Sequence, residues 1–573
     1  MKTSISKYSS KILMLALFSS FISCNDFLDN PNYGDIDSDA FWVSEKKVIY
    51  ATNSLYVYAG REEVGGRGHM WFENCSDDMV TGRTNSTADR IKDFQMGTDV
   101  GYISEMYNEM YHAIAKANDI LYNVPNMKEG ILTKKFADFA MGQAYFFRGY
   151  SYLWLAPWFG DNGVNGGIPI VVEGMSSDEI NALPRPASVL DNYDMIIDDM
   201  RKAADLLPSW TDLAPTDYGR PYKTAAWAFA ARAALYAAQY DNKYYDVVIE
   251  MCDKIINLTG ADKRALYPDF NKLFTIENNF SSEYIYSILG NATDGPKFHG
   301  MGFQKDGYGL YNTWGYFQPT AELYEAYSPS DIRRDATILV PGQHIMFIGK
   351  DIHFGMKDGK ADASSISSTS GLTFRKFMSV FAPEDCLGKT VNPNGDNQTN
   401  ALGQCVMRYA DILLMKAEAM IQGGKGSNTS VPNCDSPKGL LGQIRERAGL
   451  SFENDGSMAE LKKQRRLELA YEFLPSRHLD LVRWGDAQEV YSKPLHGYEP
   501  RVIAKEVDKL NDKGEPVLDA NGNVVKETVY TFDPSGKIQI WPARSYNPNV
   551  HHVFPIPQEV IDKSENVKQN IGY

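Results

Sequence analysis

Two stretches carry the side chains with the most chemical potential. GHMWFENCSDDMVTGRTN (68–85) sets Trp71 and Phe72 beside Asn74, Asp77, Asp78, Arg83 and Asn85, and DGYGLYNTWGYF (306–317) sets Tyr308, Tyr311, Trp314 and Tyr316 beside Asn312. Flat indole and phenol rings cover an apolar ligand face at low entropic cost, and neighbouring amides and charges fix the direction of hydroxyls. A sugar ring offers both, with C–H faces and a rim of hydroxyls. The glycine-rich flanks suit exposed loops better than packed helices. Each aromatic also has a structural reading as core, and that reading is preferred for Trp42, Trp154, Trp158, Trp227 and Trp484, which fall on helices or at their ends.

Other constellations point to no reaction. Asp77 and Asp78 are adjacent, whereas glycosidases need two acids facing each other across a bond, about 5–9.5 Å apart. Asp35, Asp37 and Asp39 alternate like a calcium loop, but Ala40 stands where glycine is needed and Lys46 where a bidentate Glu is needed. His551 and His552 have no ligand spacing around them. There is no nucleophile elbow, P-loop or dinucleotide fingerprint. No catalytic residue, metal site or cofactor is expected. Arg408, Arg465, Arg466, Arg477 and Arg483 read as buried partners of Asp411, Glu418, Glu468, Glu472 and Asp480 rather than as an anion site.

The elements that must position these loops are helical. Apolar periodicity and caps predict helices over 38–58, 104–124, 134–156, 187–207, 222–240, 243–257, 319–327, 408–422, 436–449 and 458–473. Small residues (Ala140, Ala144, Ala225, Ala230, Ala233, Ala234) sit among aromatics, the composition of stacked helical hairpins of the tetratricopeptide type. From 262 to 405 the chain is rich in Gly, Asn, Ser and Tyr and almost without long helices, which marks a loop-rich functional part. After residue 500 the pattern is strands, with turns at Lys513-Gly514 and Asn521-Gly522. The expected fold class is mainly α: tetratricopeptide-like hairpins as a scaffold, plus an irregular loop-rich region with a few short strands.

The chain has 573 residues, 43% of them hydrophobic, and a formal net charge of −15. That is enough for a large core, and the acidic balance argues against nucleic acid. Residues 12–22 form an apolar run behind Lys2, Lys7 and Lys11, too short for the ~20 residues of a membrane span. The run ends at Cys24, in the manner of a bacterial lipobox. The expectation is a signal peptide over 1–23 and a lipid on Cys24, which anchors a protein to a membrane without spanning it. Cys75, Cys252, Cys386, Cys405 and Cys434 then remain, an odd set without C-x-x-C, read as buried thiols, with a Cys386–Cys405 bridge as the alternative.

RYADILLMKAEAM (408–420), RRLELAYEFLPSRHLDLVRWG (465–485) and VFPIPQEVIDKSENVKQNIGY (553–573) resemble the SusD/RagB family. So do AYFFRGYSYLWLAPWFGDNGVNGGIPIV (144–171) and SPSDIRRDATIL (328–339). Ile571 and Glu565-Asn566-Val567 depart from the family's usual tail. The resemblance implies a non-enzymatic surface lipoprotein of the outer membrane that captures oligosaccharide or polysaccharide and passes it to a SusC-like TonB-dependent transporter. It implies a helical N-terminal region over 24–215 and a RagB/SusD region over 216–573, with the ligand-binding part at 262–405. In such proteins the glycan-stacking aromatics fall in regions comparable to 68–85 and 306–317. An alternative within the same family is capture of peptides or glycoproteins; nothing in the sequence selects a glycoside hydrolase.

Overall fold

The computed structural model describes residues 41–61, 64, 67–82, 84–289, 315–347, 350–361, 368–377, 402–472 and 476–573. In chain order the elements used below are α1 (Glu45–Ala59), α2 (Arg67–Glu73), β1 (Met79–Thr81), α3 (Ser86–Lys92), α4 (Gly101–Asn123), α5 (Lys134–Phe159), α6 (Val189–Leu206), α7 (Lys223–Ala237), α8 (Tyr244–Ile256), β2 (Tyr284–Ile288), β3 (Phe317–Pro319) and α9 (Ala321–Ala326). They continue with β4 (Gln404–Arg408), α10 (Tyr409–Gly423), α11 (Pro437–Arg447), α12 (Met458–Leu469), α13 (Arg477–Arg483), β5 (Val502–Asp508) and β6 (Lys526–Phe532). The Thr133 side chain accepts from Phe136 N to open α5, Ser188 accepts from Leu190 N before α6, and Ser436 and Ser457 do the same for α11 and α12.

Successive helices pack on one another: α4 on α5, α5 on α6, α6 on α7, α7 on α8, then α8 on α10 and α10 on α11 and α12. In α7 every residue but Lys223 and Trp227 is buried, so this alanine-rich helix lies inside the stack rather than on its surface. Small residues allow the close approach. A Cβ at Gly142 would sit 3.0 Å from Leu207, and one at Gly149 3.0 Å from Met200. The expected mainly α fold with helical hairpins is what the chain adopts. Strands form only two-stranded ladders among the described residues. Between 262 and 405 the described helices have six residues or fewer.

A buried ionic lattice ties the middle of the chain to α10, α12 and α13. Arg408, at the end of β4, reaches Glu283, Glu468 and Glu472 at 2.7 Å each, and Lys376 adds a contact to Glu472 at 2.8 Å. Arg465 of α12 links Asp411 of α10 (2.7 Å) to Asp480 of α13 (2.6 Å). Buried charge is tolerable only in such fully paired sets.

The strands after 500 form with both expected turns. β5 and β6 pair directly, Val502 with Phe532 through Asp508 with Lys526. The turns at Lys513-Gly514 and Asn521-Gly522 lie in the link 509–525, in two small loops that also close on the side chains of Asn511 and Asp519. Cys75, Cys252, Cys405 and Cys434 are free and buried; Cys24 and Cys386 lie outside the described residues. No helix among the described residues is long and apolar enough to cross a membrane.

Candidate functional site

The β1–β3 ladder brings the first aromatic stretch against residues 315–317, the described end of the second. Met79 pairs with Pro319 and Thr81 with Phe317, and Gly82 N donates to Tyr316 O at 2.8 Å. Gly82 is indispensable here, since a Cβ would lie 2.0 Å from Gly315 O. Lys92, fully buried, donates to Asn74 O and Met79 O at 3.0 and 2.9 Å, stapling the turn between α2 and β1. Asn74 Nδ2 donates to Thr81 Oγ1 at 2.6 Å.

On this frame sits a nest of rings. The Trp71 indole stacks on Tyr102 from the first turn of α4, with centroids 5.0 Å apart and planes 13° from parallel. Tyr316 meets it edge-on at 5.0 Å, and Phe317 at 4.8 Å. Asn85 caps α3 by accepting from Ala88 N, and its Nδ2 donates to Tyr102 Oη at 3.1 Å. Tyr102, Tyr316 and Asn85 are half-buried, whereas Trp71 is completely covered.

Four of the expected contact residues therefore take other roles. Trp71 has no accessible face, so it is the floor of the nest and not a stacking surface. Phe72 turns away from it and packs against Trp158 (5.3 Å) and Phe554 (5.2 Å). Asp77 and Asp78 are buried beneath Arg466 and Arg477: Arg466 Nε meets Asp78 at 2.6 Å and Arg477 Nε meets Asp77 at 2.9 Å. Burial opposes the charge on Asp77, but the two guanidiniums outweigh it and hold its pKa well below the carboxylate range. For Asp78, burial, with Asp77 beside it, pushes the pKa up. Burial also raises Glu73 to about 8, with Ser476 and the Arg477 backbone N–H hydrogen-bonded to its carboxyl. The other three lattice arginines pair largely as anticipated, Arg483 with Asp480 at 2.9 Å and with Glu418. Arg83, Tyr308, Tyr311, Asn312 and Trp314 lie outside the described residues.

Tyr102 and Phe317 escaped sequence reasoning. Tyr102 is the second residue of a long amphipathic helix, where an aromatic reads as core. Its one distinguishing signal is position, in the first turn, beside Gly101. His551 lies flat against Phe94 at 5.4 Å, and His552 Nε2 is 2.9 Å from Asp161, so both have structural partners. The assembled surface offers two half-buried phenols held by a rigid indole floor, next to an oriented amide. Such a surface can stack and hydrogen-bond a polyhydroxylated ligand.

Comparison with known proteins places the chain in a family. A family model described as "SusD family" matches residues 273–573, and one described as "Starch-binding associating with outer membrane" matches residues 26–235. A SusD-like protein of Formosa agariphila is 23% identical over 534 residues, 86% of this chain and 93% of its own length. A SusD-like protein from Bacteroides fragilis superposes with a TM-score of 0.70 at 20% identity, covering 93% of this chain and 98% of that one. A laminarin-binding SusD-like protein gives 0.67 at 21% identity, with 93% and 100% covered. Surface glycan-binding protein A from Bacteroides thetaiotaomicron, solved with laminarihexaose, gives 0.66 at 16% identity, with 92% and 100% covered. Those likenesses show the fold, and the family model, which spans more than half of the sequence, shows that this chain belongs to the SusD family.

Proposed function

We propose that this chain is a non-catalytic, lipid-anchored protein of the outer membrane that captures oligosaccharide or polysaccharide at the cell surface and hands it to a SusC-like TonB-dependent transporter. The observation that carries the reading is that the β1–β3 ladder sets Tyr316 beside Tyr102 over the Trp71 floor, a half-buried ring surface in a chain of this family. Tyr102 and Tyr316 cover the C–H face of a pyranose, and Asn85 orients a hydroxyl. The segment 306–314 and Arg83 supply further contacts on this reading. The laminarin and laminarihexaose ligands of the related structures make β-glucan the first probe. Asp77 and Asp78 are spent on Arg466 and Arg477, which leaves neither suited to acid–base work.

Anchoring and delivery are tested together in cells. The native chain and a Cys24→Ala variant are compared for surface exposure and for co-purification with a TonB-dependent barrel. The native chain is expected at the surface with the barrel; the variant is expected to lose its membrane fraction. Native chain that co-purifies with no barrel would overturn delivery.

A further inference from the structure

A second cluster of rings stands apart from the nest around Trp71. Trp210 follows α6, Tyr218 follows the short turn Pro215–Asp217, and Phe280 follows the turn Ile276–Asn278. The α6–α7 connection and the segment before β2 thus converge. Trp210 and Tyr218 stack at 4.7 Å with planes 19° apart. Phe280 lies 5.5 Å from Tyr218 and 6.2 Å from Trp210. The buried Arg264 guanidinium sits 5.5 Å from the Trp210 ring, and Tyr222 braces the indole at 5.3 Å.

The platform is fixed from below yet open above. Gly219 has φ of +98°, and a Cβ there would meet Leu289 at 2.4 Å, so the turn carrying Tyr218 is pressed against that side chain. Tyr218 nevertheless remains 37% exposed and Phe280 44%. Among the described residues they are the one pair of exposed tyrosine, phenylalanine or tryptophan rings in mutual contact. Apolar rings gain by leaving water, so two touching rings left in it are unexplained by packing. Polar groups rim them. Arg220 Nε donates to Asp217 at 3.0 Å, and Thr211 hydrogen-bonds Asp262 through its backbone N–H and its hydroxyl. The near-parallel Trp210–Tyr218 pair, with Phe280 tilted 49° to Tyr218 and oriented polar side chains at the edge, matches the two-sided character of a sugar ring.

We infer that Trp210, Tyr218 and Phe280 form a second carbohydrate contact, so that one chain grips a long glycan at two places. This rests on the reading of the chain as a glycan binder. A second contact adds avidity for polymers without strengthening the hold on short fragments, which suits a protein that must retain polysaccharide and release oligosaccharide.

The test uses the full lipoprotein in detergent, titrated with laminarin, starch and xylan and with their hexasaccharides. The double variant Tyr218→Ala/Phe280→Ala is compared with Tyr102→Ala/Tyr316→Ala. Removing the exposed rings is expected to weaken polymer binding at least tenfold, while hexasaccharide affinity at the Tyr102–Tyr316 surface and the melting temperature stay native. Native polymer affinity in the Tyr218/Phe280 variant would overturn the second contact and leave the first intact. So would unchanged glycan binding with loss of a co-purifying barrel, which would make the patch a protein interface. If the native chain binds no polymer at all, the glycan reading falls and takes this inference with it.

Discussion

Removing the Tyr316 ring takes away a half-buried face and opens the Trp71 floor to water. Tyr316→Ala is expected to weaken glycan binding by about 1–2 kcal/mol, roughly tenfold, with a small change in melting temperature. Trp71→Ala is expected to cost about 3–5 kcal/mol of stability, because it empties a covered site among three rings. Thermal melts beside binding isotherms separate the two effects, and a native melt for Trp71→Ala would contradict the floor assignment. Glu73 makes a pH-dependent prediction. Its folded pKa of about 8 lies above the unfolded value near 4.5, so the folded state holds a proton that the unfolded state has lost. That stability is present at low pH and is lost as pH rises from about 4.5 to 8, at up to about 1.4 kcal/mol per pH unit. Glu73→Gln is expected to flatten this loss and melt higher than native at pH 8, with little difference at pH 4.5; a parallel pH profile would contradict it. Only part of this was legible in the sequence. Residue types located the stretch 68–85, but they could not say which way neighbours point. Trp71 and Phe72 share a helix of seven residues that is buried on more than one side. Asp77 and Asp78 looked available because their partners lie far downstream, Arg466 being 388 positions away from Asp78.

At the scale of elements, the short β1–β3 ladder does the assembling, and Gly82 is its weak point. Gly82→Ala would drive a methyl into Gly315 O, and a backbone oxygen cannot swing aside as a side chain can. The expected result is a loss of several kcal/mol together with loss of glycan binding, since Tyr316 moves with its strand. Denaturant unfolding and a single binding titration check it; native binding by this variant would show that the ladder does not place the site. The long helices were legible because caps and periodicity are local properties: Thr133, Ser436 and Ser457 each sit where the helix begins. The three-residue strands were not, because three residues carry no period, and pairing between 79–81 and 317–319 is a property of tertiary packing. The turns of the link 509–525 were legible for the same local reason as the helices. Its Lys-Gly and Asn-Gly signals mark turns that do form, each also closed on a nearby Asn or Asp side chain.

For the whole molecule, the stack of hairpins is a rigid scaffold, and the buried lattice around Arg408 ties it to the helices that follow. Arg408→Met would leave Glu283, Glu468 and Glu472 buried without their shared cation, and is expected to destabilise the chain by about 3–5 kcal/mol, read by chemical denaturation. Native stability in that variant would show the lattice to be dispensable. The scaffold holds its ring surfaces through shape and stacking, not through a net field, so capture of a neutral glycan should respond weakly to salt. The central claim is that the Tyr102–Tyr316 surface captures a glycan without changing it. Its most direct test is calorimetric titration of the full chain with laminarihexaose and with hexasaccharides of other glycans, at low and high salt, beside the Tyr102→Ala/Tyr316→Ala variant, with the sugar recovered afterwards. The account predicts binding to one glycan class, unchanged by salt, lost in the variant, with the oligosaccharide recovered intact. Binding that survives in the variant, or a recovered sugar that has been cleaved, would contradict it.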